Sequence, residues 1–151
     1  MLKNIDPLLS PELLKVLCEM GHGDEVVLAD ANFTAAALGR DAVVLRLPGV
    51  SMRRACAAVL SVLPLDDMVA QPVACMQVGG SPDGYRSALQ REVQGDMAAS
   101  GAALPGQCEA VERFAFYERV KGAYAIVQTG ELQAWANFVF KKGVIAEELR
   151  R

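Results

Sequence analysis

The chain has one histidine and one tryptophan in 151 residues. A mononuclear metal centre built of several imidazoles cannot be assembled from one histidine per chain. Any serine or cysteine nucleophile would have to draw on that same ring, and no G-x-S-x-G elbow is present. Cys18, Cys56, Cys75 and Cys108 form no C-x-x-C pair and no zinc-type spacing, so they read as reduced, mostly buried thiols. There is no G-x-x-x-x-G-K-[ST] loop and no G-x-G-x-x-G; Gly21-His22-Gly23 precedes a strand-like run instead of following one. No apolar run approaches about 18 residues, so no membrane span is expected. The stretch from Met1 to Pro7 lacks a signal peptide's apolar segment, which points to the cytoplasm. Lys plus Arg number 15 against 18 Asp plus Glu, a formal charge of −3, which disfavours nucleic acid as a partner. These absences weigh against hydrolases, kinases, dehydrogenases and metalloenzymes. What remains is proton transfer without a cofactor or metal, or simple ligand binding.

With 52% hydrophobic and 22% charged residues, the chain suits one folded domain spanning residues 1–151. Ser10-Pro11-Glu12 reads as an N-cap, a first-position proline and a first-turn acid. Leu13, Leu14, Val16 and Leu17 then give a helical apolar face up to Met20, with Gly21 as a left-handed stop. Strands are expected at Glu25–Ala29, Asp41–Leu47, Val73–Val78, Ala110–Phe116, Tyr124–Gln128 and Asn137–Lys141. Helices are expected from Ser51 to about Leu63 and from Tyr85 to about Ser100, with a single helical turn at Tyr117–Gly122. The alternation implies an α/β domain: a largely parallel central sheet flanked by helices, and a charged, exposed tail at about 145–151.

Four places carry polar chemistry. His22, between two glycines, stands in a bend that leaves its ring free to enter a cleft, where an imidazole exchanges protons near neutral pH. The plainer reading is a surface-loop histidine with no role. Asp30 closes an apolar strand, the end at which open α/β sheets bind ligands, although Asp30-Ala31-Asn32 also suits an Asx turn. On a strand over Ala110–Phe116, alternation places Arg113 with Ala115 and, beyond it, Tyr117, opposite Phe114 and Phe116 in the core. A guanidinium beside a phenol makes a polar pocket wall; an exposed salt-bridged arginine is the alternative. Trp135-Ala136-Asn137 sets an aromatic platform beside an amide, a pairing typical of carbohydrate contacts, although a core tryptophan at a strand edge fits as well.

Several segments together resemble the L-fucose mutarotases of the fucose mutarotase / D-ribose pyranase family. They are Pro11 to Leu17, Met20 to Glu25, Asp30-Ala31, Arg113 to Arg119, Thr129-Gly130-Glu131 and Lys141 to Val144, in order over nearly the whole chain. Pro11-Glu12-Leu13-Leu14 and Phe116-Tyr117-Glu118-Arg119 look fucose-type. The resemblance implies a ribose pyranase-like fold and interconversion of the α and β anomers of L-fucose or a related monosaccharide without a cofactor. It implies His22 as proton donor, with Asp30, Arg113 and the segment Trp135, Ala136, Asn137 contacting the sugar. It also implies ring-shaped homo-oligomers, commonly decamers, with sites near subunit boundaries. Two positions depart from the family: tyrosine usually stands at Trp135, and many fucose-type members carry histidine at Asn32. An indole keeps the flat face but only donates, so Trp135 is assigned to binding alone.

The chemistry fits. Opening a hemiacetal needs one proton delivered to the ring oxygen and one removed from the anomeric hydroxyl; reclosure on the other carbonyl face reverses both. His22 is the expected donor, with Tyr117, Asp30 or a water as acceptor. The competing readings are a ribose pyranase-type pyranose/furanose interconversion and a sugar-binding protein without activity.

Overall fold

A computed structural model describes residues 1–147. Six short strands form one sheet: β1 (Glu25–Ala29), β2 (Val43–Leu47), β3 (Val73–Met76), β4 (Cys108–Val111), β5 (Ala125–Thr129) and β6 (Phe138–Lys141). Their order is β2-β5-β1-β6-β3-β4. The pairs β1–β5, β2–β5 and β3–β4 are parallel, while β6 lies antiparallel between β1 and β3. Five strands thus share one direction and only β6 is reversed, so the sheet is largely parallel, as expected. The reversal brings the start of β6 to the carboxyl ends of β1 and β3.

Side-chain alternation divides the interior in two. Val26 and Leu28 of β1, with Phe138 and Phe140 of β6, enter one core. Val27 and Ala29, with Val139, enter the other. The first core is covered by α1 (Pro11–Glu19), α3 (Met52–Leu60) and α4 (Ala88–Ser100). The second is covered by α2 (Ala35–Leu38) and α5 (Arg113–Lys121). Sheets buried on both faces need continuous apolar runs, which is how the central strands read.

Local chemistry sets the helix starts. The Ser10 hydroxyl accepts from the Leu13 amide, and Ser51 accepts from Arg54 in the same way. Ser87 and Gln90 form a reciprocal capping box, so α4 begins at Ala88, three residues after Tyr85. Gly101, with φ of 77°, ends it. Helix α3 closes at Leu60, before Pro64 is reached.

Three expectations need correction. The fourth strand, expected over Ala110–Phe116, stops at Val111, and α5 runs from Arg113 to Lys121. Glu112 caps it, its carboxylate accepting from the amides of Phe114 and Ala115. The buried pair Phe116 and Val120 has helical spacing, while Phe114 is 65% exposed and lies outside the core. Gly21 is not a left-handed stop: α1 ends on Met20 in an extended conformation, and the positive φ belongs to Gly23. The four-residue α2 was not anticipated; a single turn leaves too little periodicity to read. Of the cysteines, Cys56, Cys75 and Cys108 are buried and Cys18 is exposed, all four unpaired. The expected tail lies partly outside the described residues, which end at 147. No helix of the described residues is long and apolar enough to cross a membrane.

Phe116 is fully buried and meets Phe33 edge-on at 6.3 Å between centroids. Phe116→Ala should cost about 3–5 kcal/mol of unfolding free energy by urea titration. A loss below about 1 kcal/mol would contradict the packing of α5 described here.

Candidate active site

At the carboxyl ends of β1 and β3, a cleft of about 260 Å³ is lined by Asp30, Asn32, Phe33, Met76, Arg113, Tyr117, Ala134, Trp135 and Asn137. Its base is a reciprocal pair. The Asp30 amide donates to Asn137 Oδ1 at 2.8 Å, and Asn137 Nδ2 donates to Asp30 Oδ2 at 3.0 Å. The other carboxylate oxygen accepts from the Asn32 amide at 3.0 Å, so the Asx turn and the ligand-facing acid are one structure. Burial pushes the Asp30 carboxyl above its ordinary value, although the bonds from Asn137 and Asn32 favour the ionised form.

The loop bearing Asp30 is held from below. Gln128 Nε2 donates to the carbonyls of Asp30, Ala31 and Phe33, at 3.3, 3.1 and 2.8 Å, while its oxygen accepts from Arg46. Thr129 donates to the Ala29 carbonyl at 2.9 Å, and the Ala31 amide donates to that of Glu131 at 2.8 Å. Glu131 also accepts from the Met52 amide, an acid at the start of α3. These bonds give Gln128 and the Thr129-Gly130-Glu131 segment a supporting role.

Helix α5 supplies the wall. Arg113 and Tyr117 are one turn apart, and Arg113 Nε donates to the Tyr117 hydroxyl at 3.0 Å. Strand alternation was the wrong reason for pairing them; the i,i+4 relation is the right one. The guanidinium carbon stands 5.3 Å from the Tyr117 ring centre and 6.0 Å from that of Trp135, both within cation–π range. Trp135 itself has φ of 66°, a strained left-handed conformation for a bulky residue. Its carbonyl accepts from the buried Gln90 at 3.3 Å. Its indole lies against Gly79, where a Cβ would fall 2.6 Å from the ring. Gly79 and Gln90 are positioning residues that sequence reasoning missed; only contact across the fold reveals them. Ala136 packs into the core and does not line the cleft with its side chain.

His22 is not in this cleft. It precedes β1 and Asp30 follows it, so five strand residues, at roughly 3.3 Å each, separate them. The imidazole side chain is 43% exposed, and its Nε2 lies 3.2 Å from Oδ1 of Asp66, itself only 5% exposed. Sequence reasoning did not single out Asp66.

A groove between α3 and α4, about 350 Å³, has an apolar floor but no convergent buried polar groups. The cleft at Asp30 does have them. A carboxylate, an amide, a guanidinium and a phenol beside an indole suit a small, neutral, polyhydroxylated ligand with one apolar face.

The model of the RbsD / FucU transport protein family matches residues 3–145. The L-fucose mutarotase of Glaesserella parasuis serovar 5 (strain SH0165) is 45% identical over 147 residues, covering 95% of this chain and 96% of that protein. The fucose mutarotase of Homo sapiens is 40% identical over 148 residues, covering 96% and 95%. The crystal structure of the fucose mutarotase from Streptococcus pneumoniae in complex with L-fucose superposes with a TM-score of 0.84 at 38% identity. That match covers 96% of this chain and all of the other.

Because Trp135 is the only tryptophan, the protein's indole emission reports on the cleft. Gly79→Ala should displace the ring and shift the emission maximum to longer wavelength; an unchanged spectrum would contradict the contact. Asp30 also leaves a pH signature. Its folded-state pKa lies above the unfolded value, so stability from this group is lost as pH rises through that window. The melting temperature of the native protein minus that of Asp30→Asn should therefore fall as pH rises above the ordinary carboxylate range. A rising difference would reverse the sign.

Proposed function

The chain belongs to the RbsD / FucU family, and we propose that it is a cofactor-independent sugar mutarotase interconverting the anomers of L-fucose. The observation that carries this reading is the buried Asp30–Asn137 pair facing the Arg113, Tyr117 and Trp135 wall. Asp30 and Asn137 bind hydroxyls, Arg113 holds a third polar edge of the sugar, and Trp135 covers its apolar face. The Ala136 side chain points away, so that residue contributes backbone only.

In the reaction, a proton passes from His22 to the ring oxygen. The bond from that oxygen to the anomeric carbon breaks as the anomeric hydroxyl gives its proton to an acceptor and becomes a carbonyl. Rotation and reclosure return both protons. Asp30 is the fitting acceptor, because burial raises its affinity for a proton. The donor must come from another subunit, since β1 keeps a chain's own His22 away from its own cleft. A ring-shaped homo-oligomer, with ten subunits as the expected count, meets that need: a heterologous contact repeated around a closed ring joins one end of each subunit to the other end of the next. Buried, unpaired cysteines suit a cytoplasmic setting.

The test is saturation-transfer NMR between the anomers of L-fucose, with D-ribose, D-galactose and L-arabinose beside it. Exchange with L-fucose supports the assignment; binding without exchange would make this a sugar-binding protein. His22→Ala and Asp30→Ala should each lose at least about 10²-fold. Co-refolding the two variants should restore about a quarter of native activity, because one in four randomly assorted sites receives both intact residues. No recovery would place both groups in the same subunit's site.

A further inference from the structure

The His22 end of the sheet is built as carefully as the cleft. Beyond β6, Lys142 has neighbours on both sides. Its amide donates to the Asp24 carbonyl, and its own carbonyl accepts from Gly23, both at 2.8 Å. On the other side it bridges to Leu65, and the Asp66 amide donates to the Lys141 carbonyl at 3.0 Å. The turn bearing His22 and the segment bearing Asp66 are thereby stitched to the same two residues. The Lys142 ammonium donates to the carbonyls of Leu17 and Met20, fixing the end of α1 that leads into the turn. Gly143 accepts no side chain: a Cβ there would fall 2.4 Å from the Leu65 carbonyl oxygen.

The charged groups around His22 are mostly committed elsewhere. Asp24 accepts from the Gly21 amide at 2.7 Å, and Lys141 lies 3.6 Å from Glu25. Asp66 accepts from the Met68 amide through Oδ1 at 3.1 Å, and the same oxygen faces His22 Nε2. An ionised carboxylate only accepts. At 3.2 Å this contact favours a proton on Nε2, since an unprotonated Nε2 would set its lone pair against those of the carboxylate. The proton that the ring can give up is then the one that Nδ1 carries in the doubly protonated ring, and the neutral ring left behind keeps its proton on Nε2.

We infer that Asp66 is a positioning residue for the mutarotase reaction, fixing the imidazole of His22 with Nε2 protonated so that Nδ1 is the nitrogen that exchanges a proton with the sugar. This rests on the function proposed above. Asp66 touches no substrate; it selects the working nitrogen, as carboxylates do behind other catalytic histidines.

The solitary histidine makes the test direct, because ¹⁵N-labelled protein shows one pair of ring-nitrogen resonances. In the neutral ring these should report the proton on Nε2. Asp66→Asn, whose amide can donate as well as accept, should mix the two tautomers. It should also lower kcat for L-fucose exchange by about tenfold or more with KM little changed, while Asp66→Glu should restore most of the loss. A proton on Nδ1 in the native protein, or a native kcat in Asp66→Asn, would overturn the inference. Should Asp66→Asn fail to fold, the native ring-nitrogen measurement decides alone. That measurement needs no sugar, so absence of L-fucose exchange in the native protein would sink the function separately.

Discussion

A carboxylate buried beside an amide, on the one reversed strand of a parallel sheet, is the constraint from which the rest of the molecule follows. Asp30 ends β1 and Asn137 begins β6, and two bonds in opposite directions join them. Only an antiparallel β6 brings those two ends together. Had β6 run with its neighbours, Asn137 would lie at the far edge and the buried Asp30 Oδ2 would lose its partner, a costly arrangement. The Gln128 amide, the Thr129 hydroxyl and the Glu131 backbone all anchor the loop that carries Asp30. Gln90 ties the other rim, through the Trp135 carbonyl, to α4. The cleft therefore stands on rigid elements, as a site needing aligned proton transfers should.

Polar chemistry is divided between the two edges of the sheet. The carboxyl edge holds the polar groups of the candidate cleft; the amino edge holds the lone imidazole. A strand cannot bend to join them. Under the proposed function, assembly is thus part of catalysis and not merely of stability, because each subunit holds a donor for a neighbour and a cleft awaiting one. The partial exposure of His22 fits this: an acid that serves another chain must stand at the surface of its own.

Much of this was legible in the residues. The apolar runs gave the central strands, and Ser10 and Ser51 gave two helix starts, because capping is local chemistry. Asp30, Arg113, Tyr117, Trp135 and Asn137 were singled out, and the fold gathers them at one cleft. What failed was periodicity over a short span. Phe114-Ala115-Phe116 alternates like a strand, but Glu112 caps a helix there, and Arg119 clamps that helix to Glu25 and Glu109 with bonds of 2.7 and 2.9 Å. Glu25 is 94 residues away in sequence and Glu109 is 10, so neither pairing has a helical spacing to read. Asp66 and Gly79 escaped for the same reason: one matters through His22 and the other through Trp135, and neither pairing has a sequence spacing to read.

The two buried aspartates are driven in opposite directions, and under the proposed function the contrast suits two different parts. Burial raises the Asp30 carboxyl, and neighbouring Glu131 adds to the rise. Burial works on Asp66 the same way, but the Met68 amide, the facing His22 and the Lys141 charge outweigh it and hold that carboxyl below its ordinary value. One acid is poised to take up a proton; the other is kept from doing so. A reaction that moves one proton onto a ring oxygen and another off a hydroxyl needs both kinds. The acceptor must be basic enough to receive its proton, and the anion behind the donor must stay an anion so that the donor's free nitrogen remains defined. With a single imidazole in the chain, environment alone assigns those parts. The sheet supplies it by placing one carboxylate beneath an aromatic wall with a neutral amide, and the other beside a lysine and an imidazole.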